Sequence, residues 1–495
     1  MISRLKNYKN VFDLALMILL SCATQVLSLM KISVVAGGFG VSAEMDAYNF
    51  ANSIVTFVLS FVIAGVSTVV IPCYVKKEKK QYVDSFITIV FGAVFVASLG
   101  IVIFKDLIIS SVSGRDAAFA QVAGNVLIIL FLGNIFYFFT CATVAHFQCI
   151  GKYNIPKVVA LLSQAGVVGC LLLLKDITII QYAVIISVGV AVNGLIDIGI
   201  AFVYKWRYRP RLHIKSPQTG ALLKLFLPIL FSTGVYQLSL LVDSAIASRL
   251  DTGNITILNY ANQISSMINT LIVGNLLVYL YPKIVKDRDD QKGRENFWKS
   301  SYFFYFVMCL VAVGYVVIGH EGVAVLFERG KFDADATRRV FLLSLLYVLV
   351  QPFNVIRDLV YRYFYAFSDT ATPTKNSIIA GVVHLVLSLV LARWMGVVGI
   401  VLGTVLSSLV SLVAIMIKFK KIFGFGVKFK SILLQYLRTL LIAVVTAATV
   451  LLIKSVCPLP SKVLSLLVYG CITVVLYVIL TCVFDKKILK TVTQI

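Results

Sequence analysis

The chain is predicted to be an all-α polytopic membrane protein. About 14 transmembrane helices should form two pseudo-symmetric six-helix lobes followed by a C-terminal helix pair. Three observations carry this prediction: composition, the placement of charge, and an internal repeat. Hydrophobic residues make up 60% of the 495 and charged residues only 14%. Mean hydropathy is +0.95. Water-soluble helices need a polar face, and this composition leaves too few polar residues to supply one.

The formal net charge of +23 would suit nucleic acid, but its placement argues otherwise. Cationic runs recur in every second connection: Lys76-Lys77-Lys79-Lys80, Lys205 with Arg207, Arg209 and Arg211, Lys286 to Lys299, Lys418 to Lys430, and Lys486-Lys487-Lys490. The intervening connections 37–45, 176–180 and 250–255 carry no Lys or Arg. That alternation is the positive-inside pattern and places both termini in the cytoplasm. The excess charge then serves topology and attraction to anionic lipid, and no nucleic-acid partner is expected.

The repeat is carried by polar residues. Asn49-Phe50-Ala51-Asn52 with Ile54 recurs as Asn259-Tyr260-Ala261-Asn262 with Ile264, and Pro72, Val75 and Lys76 recur as Pro282, Val285 and Lys286. With a one-residue slip, Leu27-Ser28-Leu29 and Ser33 match Leu238-Ser239-Leu240 and Ser244. Shared greasiness cannot produce agreement at Asn, Ser and Pro. A duplicated bundle with polar side chains facing a common interior is the architecture of a carrier.

A crossing takes about 20 apolar residues, and segments of that kind are centred at about residues 22, 60, 94, 133, 167, 192, 236, 270, 313, 352, 385, 407, 443 and 474. Arg4, Lys6 and Lys9 precede the first. Its apolar run continues past Leu20 to Gly37, longer than the core of a cleavable signal, so it is read as an uncleaved crossing. The second begins at Asp46 after the turn Gly37-Gly38-Phe39-Gly40 and is long enough to tilt. Crossings one to six make an N-terminal lobe, 1–204. The basic stretch 205–220 is a cytoplasmic linker, either lying amphipathically on the inner surface or serving as a solvated hinge. Crossings seven to twelve make the second lobe, 221–430, and 431–495 adds the final pair and a tail. Six crossings per copy is even, so the lobes are related by an axis along the membrane normal.

Charges inside crossings cost several kcal/mol, of order 3, unless they are paired or face water. Lys31 lies toward the outer end of the first crossing, with Gln25 about two turns away. Asp46 opens the second crossing, Asp243 lies in the seventh, and Arg357, Asp358 and Arg362 lie late in the tenth. Arg357 and Asp358 are consecutive and point to different helix faces, so they are not expected to neutralise each other. Lys31 either snorkels to the headgroups or lines a cavity; Asp13 and Arg438, near the inner surface, are read as snorkelling. Asn52 and Asn262 either glue helices together or share an interior role. Pro228 and Pro352 interrupt apolar runs, where a missing N–H kinks a helix. Such kinks would let a bundle alternate between two openings, or would serve rigid structure alone.

Several signatures are missing from the sequence. No G-x-x-x-x-G-K-[ST] occurs, and Gly330-Lys331-Phe332 lacks its glycine spacing and hydroxyl. The four histidines are far apart, and the nine cysteines are scattered singly through apolar spans. The chain is therefore read as no enzyme, with no cofactor and no metal site. A driving force would come from membrane potential, an ion gradient, or consumption of product.

The second lobe carries motifs that resemble a known family. Leu326-Phe327-Glu328-Arg329-Gly330-Lys331-Phe332 with Thr337 is similar to the L-x-E-R-G-x-F…T motif of the MurJ/MviN lipid II flippases. Arg362-Tyr363-Phe364-Tyr365-Ala366-Phe367-Ser368-Asp369-Thr370-Ala371-Thr372-Pro373 resembles that family's R-x-F-Y-A-x-x-D-T-x-T-P segment. Val242-Asp243 through Ala247-Ser248 to Leu258-Asn259-Tyr260-Ala261 resembles its V-D-R-x-x-A-S…L-N-Y-A stretch, and Phe39-Gly40 with Asp46-Ala47-Tyr48 its F-G…D-A-F/Y turn. The resemblance implies a flippase of the multidrug/oligosaccharidyl-lipid/polysaccharide superfamily in the bacterial inner membrane. It would move a polyprenyl-pyrophosphate-linked saccharide, either the peptidoglycan precursor lipid II or a surface-polysaccharide unit, by alternating access. The head would occupy a cationic cavity between the lobes, and residues 431–484 would form a groove for the tail.

Substrate-contacting candidates are Lys31, Gln25, Asp46, Asn52, Asp243, Asn262, Gln263, Arg357 and Arg362. The family's cavity arginines align with Gln25, Lys31, Leu59 and Gln263, so only Lys31 keeps a cation, and Ile32 replaces an acidic neighbour. Lysine is a point charge where arginine grips pyrophosphate bidentately. Membrane lipids, a coupling cation and cell-envelope biosynthesis proteins are the further expected partners. The competing readings are a cation-coupled multidrug (MATE-like) antiporter, which would rely on Asp46 and Asp243, and a non-transporting scaffold.

Overall fold

The computed structural model describes residues 2–75, 79–174, 176–274, 291–367, 369–426 and 429–484, and among them only helices and turns occur. Among the described residues, thirteen helices are long and apolar enough to cross a membrane, which makes the chain a multi-pass membrane protein. Every sequence-read centre falls inside such a helix except the eighth, at about residue 270. That one lies in a π-helical stretch, Asn269–Gly274. Pro282, Val285, Lys286 and the lysines at 76, 77, 486, 487 and 490 lie outside the described residues, as do the side chains of Arg4, Lys6, Lys9 and Asp13.

The chain packs as two compact units, Met1–Thr256 and Ile257–Ile495. The first unit runs α1 (Ile2–Phe39), α2 (Ala43–Gly65), a π-helical stretch (Val66–Val70), α3 (Ile71–Val75), α4 (Lys80–Ile103), α5 (Lys105–Ser113), α6 (Ala117–Cys149), α7 (Asn154–Leu173), α8 (Ile179–Val203), α9 (Pro217–Ser248) and the opening of α10 (Asn254–Ile268). Three of the long helices start where a short polar side chain takes an orphan amide. Ser42 accepts from the Met45 amide and Asp116 from that of Phe119, while Thr178 and Gln181 form a reciprocal capping box. Gly114, at φ 63°, ends α5 in the left-handed region that favours glycine.

Close approach of α6 and α8 rests on absent side chains. A Cβ on Gly133 would lie 2.4 Å from the Cβ of Ser187 and 2.6 Å from its Cα, and one on Gly194 would meet Phe136 at 2.8 Å. Small residues let helix backbones touch where lipid offers no hydrophobic drive to associate. Residues 205–216 run without helix and are clipped to α4: the backbone amides of Arg209, Arg211 and His213 donate to Asp84, Thr88 and Ser85. Trp206 is buried and stacked on Tyr208, with ring centroids 6.0 Å apart.

The second unit contains the rest of α10 with its π-helical end, α11 (Gln291–Phe327), α12 (Ala334–Ala366), α13 (Ala371–Met395), α14 (Val397–Phe423), α15 (Phe429–Val456) and α16 (Lys462–Phe484). Its core is aromatic: Phe297, Trp298, Phe304, Tyr363, Phe364 and Phe419 are buried together. The final pair is tied to α11. Tyr302 bonds Thr439 at 2.8 Å, Tyr436 donates to Ser301 at 2.9 Å, and Tyr477 donates to the Phe306 carbonyl at 3.1 Å. Lys454 pairs with Glu321 and Lys462 with Glu328, both at 2.7 Å.

Candidate functional site

The first unit holds a half-open chamber of about 540 Å³ in which polar side chains are set among a mainly apolar lining. Helical spacing explains its lining. Thr24 and Lys31 are two turns apart on α1, and Tyr137, Thr140, Cys141, Val144 and Gln148 fall on one stripe of α6. Ser163 and Gln164 come from α7, and Gly189, Asn193 and Asp197 descend one face of α8. Exposed Gln148 and Lys157 rim one end, where α6 finishes and α7 begins. Lys31 is half-buried and has no hydrogen-bond or ion-pair partner among the described residues. A membrane-embedded ammonium with no ion pair among the described residues is suited to an anion.

Of the nine candidates, Lys31 is the one that lines this chamber. Gln25 and Asn52 are half-buried on α1 and α2, outside the lining. Asp46 is fully buried and accepts the amides of Gly253 (2.6 Å) and Thr256 (2.8 Å) and the Thr256 hydroxyl (2.7 Å), with Arg115 at 3.7 Å. Its position therefore caps the first turn of α10. Asp243 is buried within α9.

In the second unit, Asn262 accepts from Ser266 at 3.4 Å, and exposed Gln263 donates to Asn259 at 2.7 Å. Arg362 is exposed on α12. The expectation for Arg357 and Asp358 is corrected. Arg357 folds back and donates through Nε (3.1 Å) and Nη2 (3.0 Å) to Asp358 Oδ1, because three methylenes let a guanidinium bridge the angle between successive positions. Arg357 also lies over the Tyr361 ring at 6.0 Å.

The sequence reading missed Asp197, Asn193, Ser163 and Arg115. Asp197 had a visible signal: it is the one acid in the apolar run 179–203. Arg115 looked like a loop charge, yet it donates to the carbonyls of Ser248 (2.5 Å) and Leu250 (3.1 Å) and to Thr252 Oγ1 (3.0 Å).

A second cavity, of about 470 Å³, lies in the second unit between α11, α12, α14 and α15. Trp298, Tyr305, Phe353, Met416, Leu433 and Tyr436 make it apolar, and Lys420 is its one charged lining residue. It suits a hydrocarbon chain.

A helical bundle of this length, with a cation-bearing chamber inside its membrane-spanning part, defines a polytopic membrane carrier. The sequence model of the lipid II flippase MurJ matches residues 35–471. The chain belongs to the lipid II flippase MurJ family. A probable lipid II flippase MurJ of Thermotoga maritima is 23% identical over 81% of this chain and 83% of its own length. That of Vibrio cholerae is 25% identical over 79% of each. Among solved structures, a lipid II flippase MurJ in an inward closed conformation superimposes with a TM-score of 0.81 at 21% identity, covering 95% of this chain and all of the other. An inward-facing multidrug resistance MATE transporter aligns with a TM-score of 0.66 at 13% identity, over 80% of this chain and 94% of its own; that likeness is one of fold alone.

Proposed function

We propose that this protein moves a polyprenyl-pyrophosphate-linked saccharide, lipid II in the first place, across the bacterial inner membrane by alternating access. The observation that carries this reading is Lys31, a cation with no ion pair among the described residues, lining a membrane-embedded chamber in a chain of the lipid II flippase family. The relatives' names supply the substrate class. The chamber falls in the usual range for small-molecule sites, about 300–1,000 Å³, and admits a pyrophosphate with an attached sugar. The apolar groove of the second unit suits the isoprenoid tail, with Lys420 at its edge. The lobes 1–204 and 221–430 act as the two rocking bodies, both termini face the cytoplasm as the Lys/Arg alternation requires, and catalysis plays no part. A coupling cation and cell-envelope biosynthesis proteins are the further partners of this scheme.

The test is Lys31→Glu in cells that depend on this chain. The variant protein should insert and accumulate normally while saccharide export is lost and the lipid-linked precursor builds up in the inner leaflet. Lys31→Arg should keep export. Normal export by Lys31→Glu would end the anion reading. Identifying the precursor that accumulates on depletion separates lipid II from a surface-polysaccharide unit.

A further inference from the structure

The chamber holds a second charged group that the anion reading does not use. Asp197 is 1% exposed, faces the chamber from α8, and has no hydrogen-bond or ion-pair partner among the described residues. One turn back on the same face, the side-chain oxygen of Asn193 is likewise buried and unpartnered, as is the Ser163 hydroxyl across on α7. An ionised carboxylate removed from water without a partner costs several kcal/mol, of order 3, so it is stable only beside a positive charge or a bound cation.

Helix geometry separates the two charges. At 1.5 Å per residue, Lys31 lies about 12 Å from the C-terminal end of α1, and Asp197 about 9 Å from that of α8. The first and sixth crossings run antiparallel, so the cation and the acid sit at different depths of one chamber. The other titratable groups facing it are Tyr137 and Cys141 on α6 and Lys157 at the rim. None can replace the acid, because Lys157 is exposed at the mouth and the phenol and thiol are neutral when protonated. No ion pair joins Lys31 to Asp197 among the described residues, so an anion brought to Lys31 adds negative charge to a chamber that already holds an unsatisfied acid.

We propose that Asp197 is the charge-balancing acid of the chamber, taking up one monovalent cation, a proton or a sodium ion, as an anionic headgroup engages Lys31. The proposal rests on the anion reading given above. Asn193 and Ser163 offer neutral oxygens that would serve either source: they complete the coordination of a hard metal ion, or they accept from the protonated acid. Substrate and cation would then be bound together, which couples headgroup capture to the cation supply on the side where the chamber is open.

The experiment uses the purified full-length chain and farnesyl pyrophosphate, a soluble probe with the same head and a short isoprenoid tail, in calorimetric titrations. Wild type should bind about tenfold more tightly when the cation is supplied, the size expected for one charge at this separation in an effective dielectric of about 20. Lowering the pH in buffers of different ionisation heat, without sodium, reads the proton. Adding sodium at fixed pH reads the metal ion. Asp197→Asn should bind about tenfold more tightly than wild type without the cation and respond to neither. It also corrects for protons taken up by the probe itself. Asp197→Ser repeats the test with a smaller side chain.

Unchanged cation dependence in the Asp197 variants, or no dependence in wild type, would overturn the coupling while leaving the anion site intact. Lys31→Ala binding as tightly as wild type, or no binding by any form, would remove the anion reading and this proposal with it.

Discussion

Asp46 and Asp197 are both buried acids in the same unit, 0% and 1% exposed, yet their surroundings are opposite. Asp46 takes three donated hydrogen bonds and the field of Arg115, at the N-terminal end of its own helix where the peptide dipoles favour an anion. Asp197 sits in the last third of α8 with no donor among the described residues. Burial alone therefore says little about what an acid does. A carboxylate saturated by protein donors holds the chain in place, whereas one left unsaturated on a cavity is available to something that arrives. The same test separates the cations. Arg115 has its fork filled by protein carbonyls and a hydroxyl, while Lys31 on the chamber has no partner among the described residues.

The largest effect should come from cutting the saturated acid. Asp46→Ala strands the amides of Gly253 and Thr256 and the Thr256 hydroxyl in a dry site, and removes the counter-charge of Arg115. Each stranded donor costs about 1–3 kcal/mol. The protein should lose about 3–5 kcal/mol of stability, seen as a much lower melting temperature in detergent and reduced accumulation in the membrane. A variant that melts with wild type would show that the tie is ornamental and would reopen Asp46 as a ligand-facing group.

The contrast also explains what the sequence could reveal. Helix number and order were legible because a crossing is a local property: about 20 apolar residues between polar ends specify it without reference to anything else. Lys31 was found by a similar local rule, as a charge in an apolar run. The same rule applied to 179–203 would have found Asp197, the one acid of that run, which the sequence reading passed over.

What was not legible depends on neighbours distant in sequence. Asp46 is held by residues more than 200 positions away, and Arg115 by a chain reversal more than 130 positions on. The linker 205–220 reads as a surface-lying stretch or a solvated hinge because nothing in it discloses the polar row Asp84, Ser85 and Thr88 that receives its amides. Arg357 and Asp358 were misjudged for another reason. Backbone direction fixes where a Cβ points, but it does not fix where a flexible guanidinium ends up.

A smaller effect is expected at the other end of the tie. Arg115→Ala removes three donated hydrogen bonds, but Leu250 and Thr252 lie at least partly open to water, which can replace the lost donors there, and only Ser248 is buried. The loss should be about 1–3 kcal/mol, read by the same thermal melts. Arg115→Lys should recover little of it, since an ammonium cannot address three acceptors set out for a planar fork.

The smallest effect on stability should come from Asp197, and this sharpens the comparison most. Asp197→Asn keeps the shape of the side chain and removes a charge that no protein group satisfies in the described structure. No hydrogen bond is broken, so stability should stay within about 0.5 kcal/mol of wild type, or rise as an unpaired buried charge is relieved. Melting curves of wild type, Asp46→Asn and Asp197→Asn in one detergent would rank the two acids directly. The isosteric change should be costly at Asp46, where an amide NH₂ would be turned toward a donor. It should be nearly silent at Asp197. Equal losses at the two positions would mean that Asp197 has a partner inside the folded protein, and the chamber would then hold a structural acid in place of a vacant one.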